Sequence, residues 1–132
     1  MTSVANIDNA LFTLEENMSK IHVESTTKGW STVHLTGELS VDEVAQTADV
    51  YEDLYSRGVR RVMVDARKTS TDYKNLFTAQ QKLHQALGKF EKISLLVEDA
   101  RNAFNLKTLA VKNPKAHVAY TIDDATNWLQ SP

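Results

Sequence analysis

The chain has no cysteine, so neither a disulfide framework nor a thiolate nucleophile is available to it. No apolar run approaches the roughly 20 residues of a membrane-spanning helix, and integral membrane association is not expected. The opening Met1-Thr2-Ser3-Val4-Ala5 has no basic segment followed by an apolar stretch, so it does not read as a secretory signal. An excess of one charge is missing too: 15 basic residues stand against 17 acidic ones, for a formal net charge of -2. The two signs are interspersed, leaving no basic stripe for counterion-releasing contacts with a phosphate backbone, and nucleic acid is not expected as a partner. The four glycines, at 29, 37, 58 and 88, form neither a Walker loop nor a dinucleotide fingerprint. No serine lies in a Gly-x-Ser-x-Gly elbow. No cofactor is expected, no catalytic signature stands out, and a cytoplasmic protein is the default expectation.

What is present is a fold signal. The 132 residues with 42% hydrophobic content suit one domain with one core, so residues 1–132 are read as a single unit. Arg61-Val62-Met63-Val64-Asp65-Ala66-Arg67 is a charge-free apolar core closing on Asp-x-Arg, the pattern of a buried parallel strand. Upstream, Ile21 and Val23 alternate with His22 and Glu24, and Val33 and Leu35 alternate with Thr32, His34 and Thr36. That period of two predicts an antiparallel hairpin. With Gly29 at a left-handed position, its register sets Ile21 opposite Leu35, Val23 opposite Val33 and His22 opposite His34.

A capping box, Ser40 to Glu43, with Leu39 and Val44 as a hydrophobic staple starts the first helix, and Gly58 stops it. A second helix is predicted over about Tyr73 to Phe90, a strand at Ile93 to Val97, and a third helix from Ala100 to Val111, ended near Asn113-Pro114. A last strand, His117 to Ile122, precedes a short closing helix over Asp123 to Leu129. The order β-β-α-β-α-β-α-β-α predicts an α/β domain with a mainly parallel sheet of about five strands, an N-terminal antiparallel hairpin and about four flanking helices. Residues 1–18 are an extension of mixed structure. Their stripe Val4, Ile7, Leu11, Leu14 and Met18 is read first as packing on the domain's own core and, more sharply, as a homodimer contact.

Ligands of open α/β sheets sit beyond the carboxyl ends of the strands, which directs attention to Asp65, Arg67, Glu98, Asp99, Arg101 and Asp123. The plainer reading is that Asp99 and either Asp123 or Thr121 cap helices, while Asp65 and Arg67 pair with neighbours or order the following loop. His22 and His34 are the best metal candidates because cross-strand neighbours can aim two imidazoles at one ion, but two ligands are too few, so both are read as solvent-facing and no metal is expected. Trp128 and Leu129 are read as core residues, and Trp30 as partly exposed.

Gly37-Glu38-Leu39-Ser40, Val62-Met63-Val64-Asp65-Ala66-Arg67 and Thr121-Ile122-Asp123-Asp124-Ala125-Thr126-Asn127-Trp128-Leu129 together resemble the bacterial SpoIIAA-like, STAS-related family over roughly residues 20 to 130. The resemblance implies a small non-catalytic module of the kind used by anti-sigma factor antagonists, related in architecture to lipid-carrying CRAL-TRIO domains. In the antagonists a serine in an Asp-Ser-Ser-Gly pattern after the central strand is phosphorylated. Here Tyr73 and Lys74 stand where the serines would follow Asp72, although Thr69, Ser70 and Thr71 lie close by, and a phosphate at a helix start would be electrostatically favoured. The expected site for a protein partner or a small amphipathic ligand is Asp65, Arg67, Thr69, Ser70, Thr71, Asp72 and Tyr73. The competing expectation is a carrier of an apolar, lipid-like molecule held between the second helix and the sheet, with an enzyme third.

Overall fold

The computed structural model describes residues 20–25, 29–71, 77–99 and 110–132. In chain order the elements are β1 (Ile21–Ser25), β2 (Ser31–Leu39), α1 (Val41–Ser56), β3 (Arg61–Thr71), α2 (Phe77–Leu87), β4 (Lys92–Leu96), β5 (Ala116–Ala119) and α3 (Ile122–Gln130). The strands form one sheet in sequential order, with β1 antiparallel to β2 and every later neighbour parallel. This is the α/β architecture the sequence predicts. Of the expected third helix, residues 110–112 are helical and the rest lies outside the described residues, as does the 1–18 extension. Among the described residues no helix is long and apolar enough to cross a membrane.

The hairpin has the predicted register, Ile21 opposite Leu35, His22 opposite His34 and Val23 opposite Val33. Gly29 has φ +100°, a conformation that a side chain would strain. Ser40 caps α1 as anticipated: its hydroxyl accepts the Glu43 amide at 3.2 Å, while the Glu43 carboxylate accepts the Ser40 amide at 2.9 Å. Gly58, at φ +97°, ends that helix.

Alternation along each strand sorts the sheet into two faces. Val33, Val62, Val64, Ile93 and Leu95 meet Val44, Ala48, Tyr51 and Leu54 of α1 and Ala79, Ala86 and Leu87 of α2, with Phe90 at the centre. Among the described residues the opposite face carries a smaller buried cluster. There Trp30, Met63, Leu96 and Ala119 pack with Ala125 and Leu129 of α3. Ser94, wholly buried, donates its hydroxyl to the Ala125 carbonyl at 2.6 Å, so the polar group that the sheet buries here is satisfied by the helix. The Arg61 guanidinium donates to the carbonyls of Leu129 and Ser131 and fastens the far end of α3 to β3.

One element is longer than the sequence suggests. The central strand does not stop at Asp65-x-Arg67 but continues to Thr71. The continuation has a partner: after a register shift, Thr36 to Leu39 of β2 pair with Lys68 to Thr71. Between His34 and Thr36 β2 advances two residues while β3 advances three, from Asp65 to Lys68, which places a bulge at Ala66 and Arg67.

Two substitutions separate local from tertiary contributions. Ser40→Ala should lower unfolding stability by about 1 kcal/mol through loss of the cap, and Phe90→Ala by about 3–5 kcal/mol through a core cavity. Urea denaturation followed by circular dichroism checks both.

Candidate functional site

Pleating puts Thr32 and His34 on the face of the sheet opposite Val33 and Leu35, and the register brings Glu24 of β1 and Met63 and Asp65 of β3 to the same side. α3 packs mainly over β4 and β5. Its inner edge and the β1–β3 part of that face border a recess of about 540 Å³. Trp30, Met63, Leu96 and Ile122 supply its apolar surface; Glu24, Asp65 and Arg67 supply charge, His34 an imidazole, and Ser25, Thr32 and Thr126 hydroxyls.

The ionisable residues form a continuous chain across three strands. Glu24 Oε1 lies 2.8 Å from His34 Nε2, and His34 Nδ1 lies 2.9 Å from Asp65 Oδ2. Arg67 donates from Nε to Asp65 Oδ1 and from Nη2 to Oδ2, each at 2.9 Å, and its backbone amide adds a third bond at 3.2 Å. A neutral imidazole carries one N–H and satisfies one carboxylate; the imidazolium satisfies both. Arg67 stands two positions beyond Asp65, next to the bulge, and its long side chain reaches back to the same carboxylate.

Only 11% of the Asp65 side chain is exposed. Burial pushes its carboxyl up, but the hydrogen bonds from Arg67 and His34 outweigh that and hold it at about 2, against an ordinary 3.8. The same contact with Asp65 raises the Arg67 guanidinium against the opposing effect of burial. Both groups therefore stay ionised throughout the neutral range.

Of the residues anticipated from the sequence, the structure brings Asp65 and Arg67 together in the recess. Thr69 lies farther along β3 and donates its hydroxyl to the Gly37 carbonyl at 2.7 Å; Ser70 is exposed and Thr71 closes the strand. Asp72 and Tyr73 lie outside the described residues, as does Arg101. Glu98, Asp99 and Asp123 are exposed, and none borders the recess. Thr121 is the residue that caps α3, accepting the Asp124 amide at 3.1 Å.

Three expectations change. His34 does not simply face solvent: it bridges two carboxylates. Trp30 is 7% exposed and forms part of the recess wall. Trp128 is half-buried rather than a closed core residue, lying between His117, stacked at 5.2 Å, and Lys92, whose Nζ sits 4.0 Å from its ring centroid. Among the described residues no group of three His, Asp or Glu side chains is placed to hold a metal ion. The reason is visible at His34, whose opposite nitrogens face the two carboxylates and so hold them apart.

Glu24 escaped the sequence reading, and His34 entered it only as a metal candidate, although the hairpin register placed them on one face. What could not be read was β2 lying beside β3 with His34 level with Asp65.

No sequence-family model matches the chain, and no curated protein matches it in sequence. Similarity lies in three dimensions. An uncharacterised Shewanella loihica protein described as having a SpoIIAA-like fold shares 15% identity at a TM-score of 0.62, over 83% of this chain and 91% of its own. An anti-sigma factor antagonist from Mycobacterium paratuberculosis shares 17% identity at a TM-score of 0.63, over 84% and 93%. The Bacillus cell fate determinant SpoIIAA in its phosphorylated form shares 17% identity at a TM-score of 0.52, over 81% and 96%. The chain has the SpoIIAA-like fold.

The Asp65 environment has a pH signature. A carboxyl lowered in the folded state stabilises it above its unfolded value and loses that contribution as pH falls toward the folded value. Between about pH 4 and pH 2 the wild type should lose roughly 2 kcal/mol from this group. Asp65→Asn should lack that component and be less stable at pH 7. Denaturant titrations at stepped pH compare the two; matching pH profiles would contradict the assignment.

Proposed function

We propose that the chain is a non-catalytic module that binds a protein partner or a small ligand in the recess, with Asp65 and Arg67 on its surface and Thr69, Ser70, Thr71, Asp72 and Tyr73 as the adjoining segment. The observation that carries this reading is that the ionisable groups already engage one another. Both ring nitrogens of His34 face carboxylates, and both oxygens of Asp65 accept from Arg67 or face His34. A carboxyl held at about 2 is a poor general base at neutral pH. Such an arrangement suits recognition by fixed charge and shape better than proton transfer. One of the fold neighbours, from Mycobacterium paratuberculosis, is named as an anti-sigma factor antagonist, which favours a protein partner.

The carrier reading has its own support in the apolar part of the recess, Trp30, Met63, Leu96 and Ile122. Its position differs from the one expected. Ala79, Ala86 and Leu87 of α2 pack in the same buried cluster as Ile93 and Leu95, so the space between that helix and the sheet is filled by side chains. A carried molecule would lie on the opposite face, beside α3.

Native mass spectrometry of protein isolated from its own host, wild type and Arg67→Ala side by side, tests the site. Circular dichroism verifies that the variant is folded. The wild type should retain a partner or small molecule that the variant holds roughly tenfold or more weakly, as loss of a charge-assisted contact implies. Equal retention by both proteins would remove the recess from the account.

A further inference from the structure

We propose that the recess recognises a carboxylate carried on an apolar body, the carboxylate lying end-on against Arg67 and the body against Trp30, Met63, Leu96 and Ile122. The inference rests on the reading of the recess as a binding site and adds the chemistry of its occupant.

A guanidinium offers two edges that can each donate twice to a carboxylate. In Arg67 the side edge, Nε with Nη2, is taken by Asp65 at 2.9 Å and 2.9 Å. The end edge, Nη1 with the second Nη2 hydrogen, meets no partner among the described residues. Arg67 borders the recess, and 37% of its side chain is exposed. Its plane is fixed before any ligand arrives, because Asp65 is itself held by His34 and by the Arg67 amide. Much of the ordering cost of a two-point salt bridge is thus already met.

The alternative head groups fit less well. An ammonium would look for a carboxylate, yet both Asp65 oxygens are engaged. Glu24 is 60% exposed, its Oε1 faces His34, and its flexible stem prepares no fixed site. A dianionic head would ask for more positive charge than Arg67 supplies with Asp65 at its side, and Arg67 is the one arginine or lysine among the described residues bordering the recess. A singly charged planar anion matches one guanidinium edge, and the neighbouring aromatic and aliphatic side chains favour an apolar remainder.

The test uses three probes that share one body and differ in the head: 3-phenylpropanoate, its amide and 3-phenylpropylamine. Each is titrated into the intact protein while two-dimensional 1H–15N NMR follows the Trp30 indole and the amides around His34, Asp65 and Arg67. A peptide C-terminus offers the same chemistry, so N-acetyl-Ala-Ala-Phe is run alongside; the tighter of the two carboxylates assigns the source. The acid, the peptide or both should shift the recess signals, at least tenfold more tightly than the amide or amine. Arg67→Lys, which keeps a positive charge beside Asp65 but not the fork, should weaken that binding at least tenfold with the rest of the spectrum unchanged. Recess shifts that are equal for all heads, or strongest for the amine, would overturn the carboxylate inference while leaving the binding site standing. No recess shift with any probe, or Arg67→Lys binding like wild type, would overturn it as well, while retention of a host-derived species by wild type over Arg67→Ala would still uphold the site.

Discussion

An almost fully buried carboxylate at Asp65 is the constraint around which one face of this protein is arranged. An ionised group removed from water is costly unless charge and hydrogen bonds are brought to it. Three devices supply them. The neighbouring parallel strand sets His34 level with Asp65, the Arg67 guanidinium reaches back to both carboxylate oxygens, and the Arg67 amide adds a further donor. Glu24, from the antiparallel strand β1, then holds the far side of the His34 ring. The polar chain thereby crosses β1, β2 and β3 on a face where α3 packs mainly over β4 and β5.

The two faces of the sheet do different work. On one, α1 and α2 close over Val62, Val64, Ile93 and Leu95, and burial of large apolar side chains provides the bulk of the stabilisation. On the other, α3 is held by Ser94, by Arg61 and by a small cluster around Leu129. That arrangement leaves a trough with an aromatic and aliphatic flank at Trp30 and Ile122 and charge along its floor. The apolar core and the recess thus lie on opposite sides of the same strands: Val64 faces the core while its neighbours Met63 and Asp65 face the recess.

Much of this was legible in the residues. Alternation at Ile21, Val23, Val33 and Leu35 gave the hairpin register, Ser40 with Glu43 marked the first helix, and the strand and helix periods gave the α/β order, because each signal is local and has a fixed period. Asp65 and Arg67 stood out as polar residues attached to an apolar run. The role of His34 did not, because it depends on which strand lies beside β3 and at what offset, and that is settled by packing over long sequence separations. The length of β3 was missed for the same reason: Lys68 to Thr71 become strand because Thr36 to Leu39 supply a ladder after the bulge. Trp30, next to a turn glycine, looked exposed, and the helix at the other end of the chain is what encloses it.

The central claim is that Asp65 and Arg67 act as one unit, so that Arg67 is oriented before anything binds. A double-mutant cycle with Asp65→Asn, Arg67→Gln and the pair, measured by urea unfolding at pH 7, addresses it most directly. Coupled partners in one network should show an interaction energy of about 1–3 kcal/mol, the double variant losing less than the two singles together. Losses that simply add, to within about 0.5 kcal/mol, would show that the two side chains do not hold each other and would contradict the account.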